Sequence, residues 1–175
     1  ARALLDRFGY RDRDGDGWRE LPDGKPFTLS MGSTPTNRDR ERDELWKRSM
    51  KDLGIRIDFV KQKFPDLLKM GRAGKLQMWP VGWITTYGEG DAFMQLLYGP
   101  NVGQSNYSRF RLAEYDALYR RSKALPDGPE RNAVYRALAE IVANYKPWVL
   151  GEYRIENTLV RPWVRGYKKH IFWEH

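Results

Sequence analysis

The sequence predicts an α/β fold, a mixed sheet flanked by helices, and three observations point there. Residues 55–60 read Ile-Arg-Ile-Asp-Phe-Val, the apolar and polar alternation of a strand with one buried face. Residues 37–53 have helical periodicity, with Trp46, Ser49, Met50 and Leu53 on one side and Asp43/Lys47 and Glu44/Arg48 spaced as i,i+4 ion pairs. With the strand expected at 27–32, the order strand, helix, strand forms a βαβ unit, for which a right-handed crossover is expected.

The remaining elements follow in chain order. Leu4, Leu5 and Phe8 mark one helical face, which Gly9 ends. The opening residues read as the last turns of a helix already under way, and the chain as a piece of a longer protein. Residues 12–17 are turn-rich and acidic. Residues 18–21 and 27–32 flank Pro22-Asp23-Gly24-Lys25, a hairpin in which Asp-Gly favours tight reversal. Gly54 ends the long helix, and a short helix is expected over 65–72. A further strand is expected over 76–82, weakened by Pro80, which has no N–H for a ladder.

In the second half, Leu112, Tyr115, Leu118 and Tyr119 form one amphipathic face. Asp127-Gly128-Pro129-Glu130 predicts a helix start, with Asp127 as N-cap and Glu130 reaching back. Val134, Ala137, Leu138, Ile141 and Tyr145 give the stripe of that helix. Residues 147–153 are expected as a strand, and the tail beyond as irregular.

Composition narrows the function. The absence of cysteine excludes disulfide scaffolds, thiolate zinc sites and cysteine nucleophiles. Lys and Arg number 31 against 23 Asp and Glu, a net charge of +8. This surplus suits an anionic partner, and a basic interaction module is the alternative function it supports. The arginines at 38, 40 and 42 do not make a nucleic-acid stripe, because Asp39, Glu41, Asp43 and Glu44 cancel them locally. The two histidines, His170 and His175, lie together near one end, so a Ser–His–Asp arrangement or a histidine metal cluster is hard to build. There is no phosphate loop and no Gly-x-Gly-x-x-Gly. The chain is therefore read as a non-enzyme that needs no cofactor.

Two constellations remain. Asp12, Asp14 and Asp16 before Gly17 match the opening of a calcium loop, with Asp23 at the twelfth position where a full loop has a bidentate Glu. A solvated acidic turn explains them as well. The second lies after the strand expected at 76–82, in Trp83-Ile84-Thr85-Thr86-Tyr87-Gly88-Glu89-Gly90-Asp91. In open α/β sheets ligands collect where strands end, and aromatic faces with a few directed polar groups suit small-molecule pockets. Trp79, Trp83, Tyr87, Phe93, Tyr98 and Tyr107 fall in this glycine-punctuated region; Trp79 and Phe93 read as core.

The order of elements resembles the bacterial extracellular solute-binding proteins of family 5, the dipeptide, oligopeptide and nickel type. The residues that carry this are Asp14-Gly15-Asp16-Gly17, Asp23-Gly24-Lys25-Pro26-Phe27, Leu53-Gly54-Ile55-Arg56-Ile57, Gly82-Trp83 with Asp91-Ala92-Phe93, Ser105-Asn106-Tyr107 and Tyr115-Asp116-Ala117-Leu118. Arg131, Tyr135, Pro147 and Val164-Arg165-Gly166-Tyr167 complete the pattern. The resemblance implies one lobe of a type II periplasmic-binding-protein fold. Residues 1–175 would be the C-terminal lobe, with the other lobe elsewhere in the same chain. The implied function is capture of a peptide or other small solute for an ABC permease in the inner membrane. The implied setting is the periplasm, or the cell surface as a lipoprotein in a Gram-positive host, with no nucleic-acid partner. The ligand-contacting residues it implies are Trp83, Thr85, Thr86, Tyr87, Glu89 and Asp91, with Asn106 and Tyr107 near the cleft. In peptide-binding members an Asp three residues after the Trp holds the ligand's terminal ammonium. Here Thr86 stands at that place, and a hydroxyl cannot neutralise an ammonium.

Overall fold

The structure is a computed structural model that describes residues 1–84, 90–151 and 157–168. They fall into two compact units, one up to Gly82 and one from Trp83 onward.

The first unit is built on the expected strand–helix–strand. β1 (Thr28–Ser33) and β2 (Arg56–Lys61) run parallel, with Thr28 opposite Arg56 and Ser33 opposite Lys61. The short α1 (Arg2–Arg7) precedes the strands, and between them runs α2 (Asn37–Leu53). On the other side of β1 the strand expected at 76–82 is reduced to one parallel bridge, Met31 with Met78. There the Gly32 N–H donates to the Met78 carbonyl at 2.8 Å and the Met78 N–H to the Ser30 carbonyl at 3.1 Å. β1 is thus flanked on both edges, and its later half, Met31 to Ser33, is buried. The turn expected at Pro22–Lys25 forms, but its arms share a single antiparallel bridge, Glu20 with Pro26. α3 (Phe64–Arg72) contributes the fully buried Leu67.

The ends of α2 are closed by side chains. At its start the Thr36 hydroxyl accepts from the Asp39 N–H at 3.2 Å, and the Asp39 carboxylate accepts from the Thr34 N–H at 3.0 Å and from the Thr34 hydroxyl. Burial pushes the Asp39 carboxyl up, but these bonds from Thr34, with Arg42 and Lys61 nearby, outweigh it and hold it below the usual carboxylate range. At its end Gly54 adopts φ +70°, which lets the Ile55 N–H return to the Met50 carbonyl. A side chain at Gly54 would be strained by that φ and would also press on the Gly17 carbonyl, 3.1 Å from the added carbon.

The buried face of α2 differs from the expectation. Ser49 is exposed, and Asp43, expected to pair with Lys47, points inward at 2% exposure. It accepts from the Ser33 hydroxyl at 2.7 Å and pairs with Lys61 of β2. Asp39, Arg42, Asp43, Trp46, Met50 and Leu53 fall on one helical face, so the register that half-buries Trp46 buries Asp43. Lys47 pairs with Glu44 instead, at 2.9 Å.

The second unit contains α4 (Asp91–Met94), the 3₁₀ turns Gln95–Leu97 and Gly99–Asn101, and the helices α5 (Ala113–Ala124) and α6 (Pro129–Tyr145). Leu97, Tyr115, Tyr119, Val134, Leu138 and Ile141 form its core. Tyr145, placed in the stripe by the sequence, is exposed, with its ring 5.9 Å from that of Phe110 in a T-shaped arrangement. The start of α6 also departs from the expectation. Gly128 is the N-cap; Asp127 pairs with Arg131, and Glu130 with Arg121 at 2.9 Å. Arginines one turn on and on the facing helix outcompete the backbone for these carboxylates. Among the described residues from 147 to 151 there is no strand, and Tyr153 lies outside the described residues. Among the described residues no helix is long and apolar enough to cross a membrane.

Burial pushes the hydroxyls of both Tyr115 and Tyr119 well above their ordinary titration range, and for Tyr119 the charge of Asp91 adds to it. In the unfolded chain these groups ionise near pH 10. Their protonated forms therefore stabilise the fold fully below about pH 10, and the contribution is lost as pH rises toward their folded values. Unfolding free energy measured across that alkaline range should fall with pH, and less steeply in Tyr115→Phe. An equal slope in the variant would contradict this.

Candidate functional site

Of the eight residues expected to touch a ligand, Thr85, Thr86, Tyr87 and Glu89 lie outside the described residues. The other four belong to the second unit and differ in accessibility. Trp83 keeps 39% of its surface exposed, as a side chain that can meet a solute must. Tyr107 is half-buried. Asn106 is fully buried and spans the connection into α5: its Nδ2 donates to the Tyr98 carbonyl at 3.1 Å and the Phe110 carbonyl at 2.9 Å, and its Oδ1 accepts from Ser108. It orders residues 98–110. Asp91 begins α4, with its carboxylate 3.1 Å from the Lys123 ammonium and its charge close enough to the Tyr119 hydroxyl to raise that group's pKa.

The neighbouring aromatics also sort differently from the expectation. Trp79 is half-buried in the first unit, stacked at a tilt on Phe64 at 5.9 Å. Phe93, expected in the core, is exposed, because α4 has only four residues and turns Met94 toward Tyr115 instead. Tyr98 packs on Tyr119, centroid to centroid 4.7 Å. Sequence reading placed Tyr119 on a helical face but missed Lys123, although its i,i+4 spacing from Tyr119 puts the two side by side.

The acidic turn is also rearranged. Carboxylate oxygens of Asp12, Asp14, Asp16 and Glu20 lie within 4.8 Å of one another. Asp23, expected in this set, instead pairs with Lys25 at 2.8 Å, and that hydrogen bond lowers its pKa. Asp12 accepts from the N–H groups of Gly15 and Gly17, Asp14 from Asp16, and Glu20 from Arg13. The group thus satisfies its own turn. Two open hollows, about 420 and 660 Å³, lie in the first unit, rimmed by charges of both signs. Neither contains a residue expected to contact a solute, although the larger is lined in part by Asp12 of the acidic turn.

Residues 1–105 match the sequence model of the bacterial extracellular solute-binding proteins, family 5 Middle. The chain belongs to this family. Among curated proteins it is similar to heme-binding protein A of Haemophilus influenzae, 31% identical over 69% of this chain and 22% of that protein. It is also similar to a probable deoxycholate-binding periplasmic protein of Escherichia coli, 26% identical over 71% of this chain and 22% of that protein. The chain thus spans about a fifth of the length of these relatives. Its fold matches the oligopeptide-binding protein AppA of Bacillus subtilis, solved with a nonapeptide. The TM-score is 0.73 at 20% identity, covering 83% of this chain and 29% of that one. The fold class read from the sequence is thereby shown, and the family is one of binding proteins.

Proposed function

We propose that this family 5 chain is part of the C-terminal lobe of a two-lobed solute-binding protein that captures a solute for an ABC importer outside the cytoplasm, without chemistry of its own. The observation that carries the reading is the family match over residues 1–105. Capture works by closure of two lobes, the solute biasing an open–closed equilibrium toward closed. On this lobe the contacts we assign are Trp83, Thr85, Thr86, Tyr87 and Glu89, with Tyr107 as a further contact and Asn106 holding the Tyr107 segment in place. Trp83 supports the assignment best, since it is large, aromatic and exposed. Haem, a bile acid and peptides, named for relatives, are the solute classes to try. Thr86 gives no charge to a peptide's ammonium, which favours the first two.

The test is a thermal-shift screen of the full-length protein with haemin, deoxycholate and tri-alanine. A solute at about 100 times its Kd adds roughly 2.7 kcal/mol, well within what the shift reads. Trp83→Ala should then weaken the bound solute by roughly 2 kcal/mol with the melting temperature of the free protein unchanged. Unchanged affinity removes Trp83 from the site, and no shift with any of the three counts against capture of these classes.

A further inference from the structure

In the first unit, α3 follows β2 after Gln62 and Lys63, so its first turn stands at the carboxyl edge of the parallel sheet. Gly32 of β1 lets α3 close on the sheet: a Cβ there would stand 3.0 Å from Leu67 and 3.3 Å from Leu76. Leu67 is fully buried in this contact. Phe64 lies one turn earlier in the same apolar stripe and keeps 52% of its surface exposed. Its ring meets Trp79, with centroids 5.9 Å apart and planes tilted by 41°. Trp79 is half-buried and follows Met78, the residue that bridges Met31 of β1.

Core packing accounts for Leu67. It does not account for Phe64, because a phenylalanine left half in water forgoes much of the gain from its burial. A ring pair with one member half-exposed offers a surface on which a further ring packs, since aromatic rings attract in offset and tilted arrangements. The place of the pair points the same way: in open α/β sheets ligands gather beyond the carboxyl ends of the strands. The free charge beside it is positive. Lys63, adjacent to Phe64, is exposed and enters no ion pair among the described residues, whereas the Asp66 carboxylate faces Lys69 at 3.9 Å.

We infer that Phe64 and Trp79 form a stacking surface for a flat apolar ring system, with Lys63 meeting an acidic group at the rim of that ring. The inference deepens the proposed capture function and rests on it. Of the solute classes named there, haem fits this surface best, as a ring plane edged with carboxylates. A bile acid, a fused ring plate with a carboxylate, comes next, and a short peptide without rings gains nothing from it.

The experiment uses the full-length protein and anilinonaphthalene sulfonate, a fluorescent flat ring with an acidic group. Phe64→Ser and Trp79→Leu should each weaken the probe by about ten-fold, and Trp79→Phe, which keeps a ring, should hold most of the affinity. Lys63→Glu should weaken the probe by about three-fold and leave its uncharged analogue, phenylnaphthylamine, bound as before. Original probe affinity in both Phe64→Ser and Trp79→Leu overturns the ring surface, and equal effects of Lys63→Glu on the two probes overturn the role of Lys63. Haemin should displace the probe, and Phe64→Ser should weaken haemin by about ten-fold with tri-alanine unaffected. A probe held by the pair that neither haemin nor deoxycholate displaces overturns its role toward the solute. If none of haemin, deoxycholate and tri-alanine binds, the capture reading fails for these classes, while the probe still decides the ring surface.

Discussion

Arg19→Ala should lower the unfolding free energy by about 3 kcal/mol, one of the two largest losses expected from a single substitution in this chain. The Arg19 side chain, 13% exposed, ties residues 6–10 and the end of α2 to its own segment. Its Nε donates to the Leu53 carbonyl at 2.7 Å, and its Nη1 to Asp6 at 2.6 Å and to the Tyr10 carbonyl at 2.5 Å. The Arg19 N–H adds a bond to the Gly54 carbonyl at 2.6 Å. Leu53 and Gly54 end α2, where carbonyls lack helical partners and the helix dipole favours a cation. Removing the side chain takes this donor from the Leu53 and Tyr10 carbonyls and the Asp6 carboxylate in a partly buried place, while the backbone bond to Gly54 remains. Arg19→Lys should recover less than half of the loss, since one ammonium cannot span Leu53 and the Asp6–Tyr10 pair together. Denaturant unfolding of the three proteins measures this. Equal stability of the Ala variant and the original would show that solvent replaces all of these bonds.

Tyr115→Ala should cost the second unit about 4 kcal/mol. The side chain is fully buried, meets Phe110 edge-on at 5.6 Å, and sits in the core with Leu97 and Leu138. Truncation leaves a cavity that the helices on either side cannot close without moving the whole α5–α6 pair. Tyr115→Phe separates the parts. It keeps the ring and loses the hydroxyl that donates to the Met94 carbonyl, so it should cost about 1 kcal/mol. The same denaturation measurement applies. A Phe variant as damaged as the Ala variant would place the stabilisation in the hydrogen bond and not in the packing.

What sequence determined here is what local chemistry decides. The alternation Ile55 to Val60 places β2 to within one residue, although burial along the strand does not alternate: Asp58 and Lys61 are exposed and the other four residues half-buried. Asn37 to Leu53 gives α2 with both ends right, because Gly54 alone can take the left-handed turn that closes it. The core stripe Val134, Leu138, Ile141 is likewise legible from spacing alone. The capping pair Thr36 and Asp39 is equally legible as a Thr-x-x-Asp pattern.

Only the tertiary structure decided which polar groups turn inward. Asp43 looks like half of a surface ion pair with Lys47, but the rotation of α2 that half-buries Trp46 carries it to Ser33 and Lys61. Asp127 looks like an N-cap until Arg131 takes its carboxylate. Glu20 replaces Asp23 in the acidic turn because the bend at Pro22–Lys25 gives Asp23 a lysine of its own. Asp91 and Asn106 look like ligand contacts, and their partners Lys123, Tyr98 and Phe110 become neighbours only when the chain folds back. A charged or amide side chain bonds to whatever group of suitable chemistry comes within about 3 Å. Spacing along the chain fixes that distance within a helix or a turn, whereas between elements it is set by how their apolar faces pack.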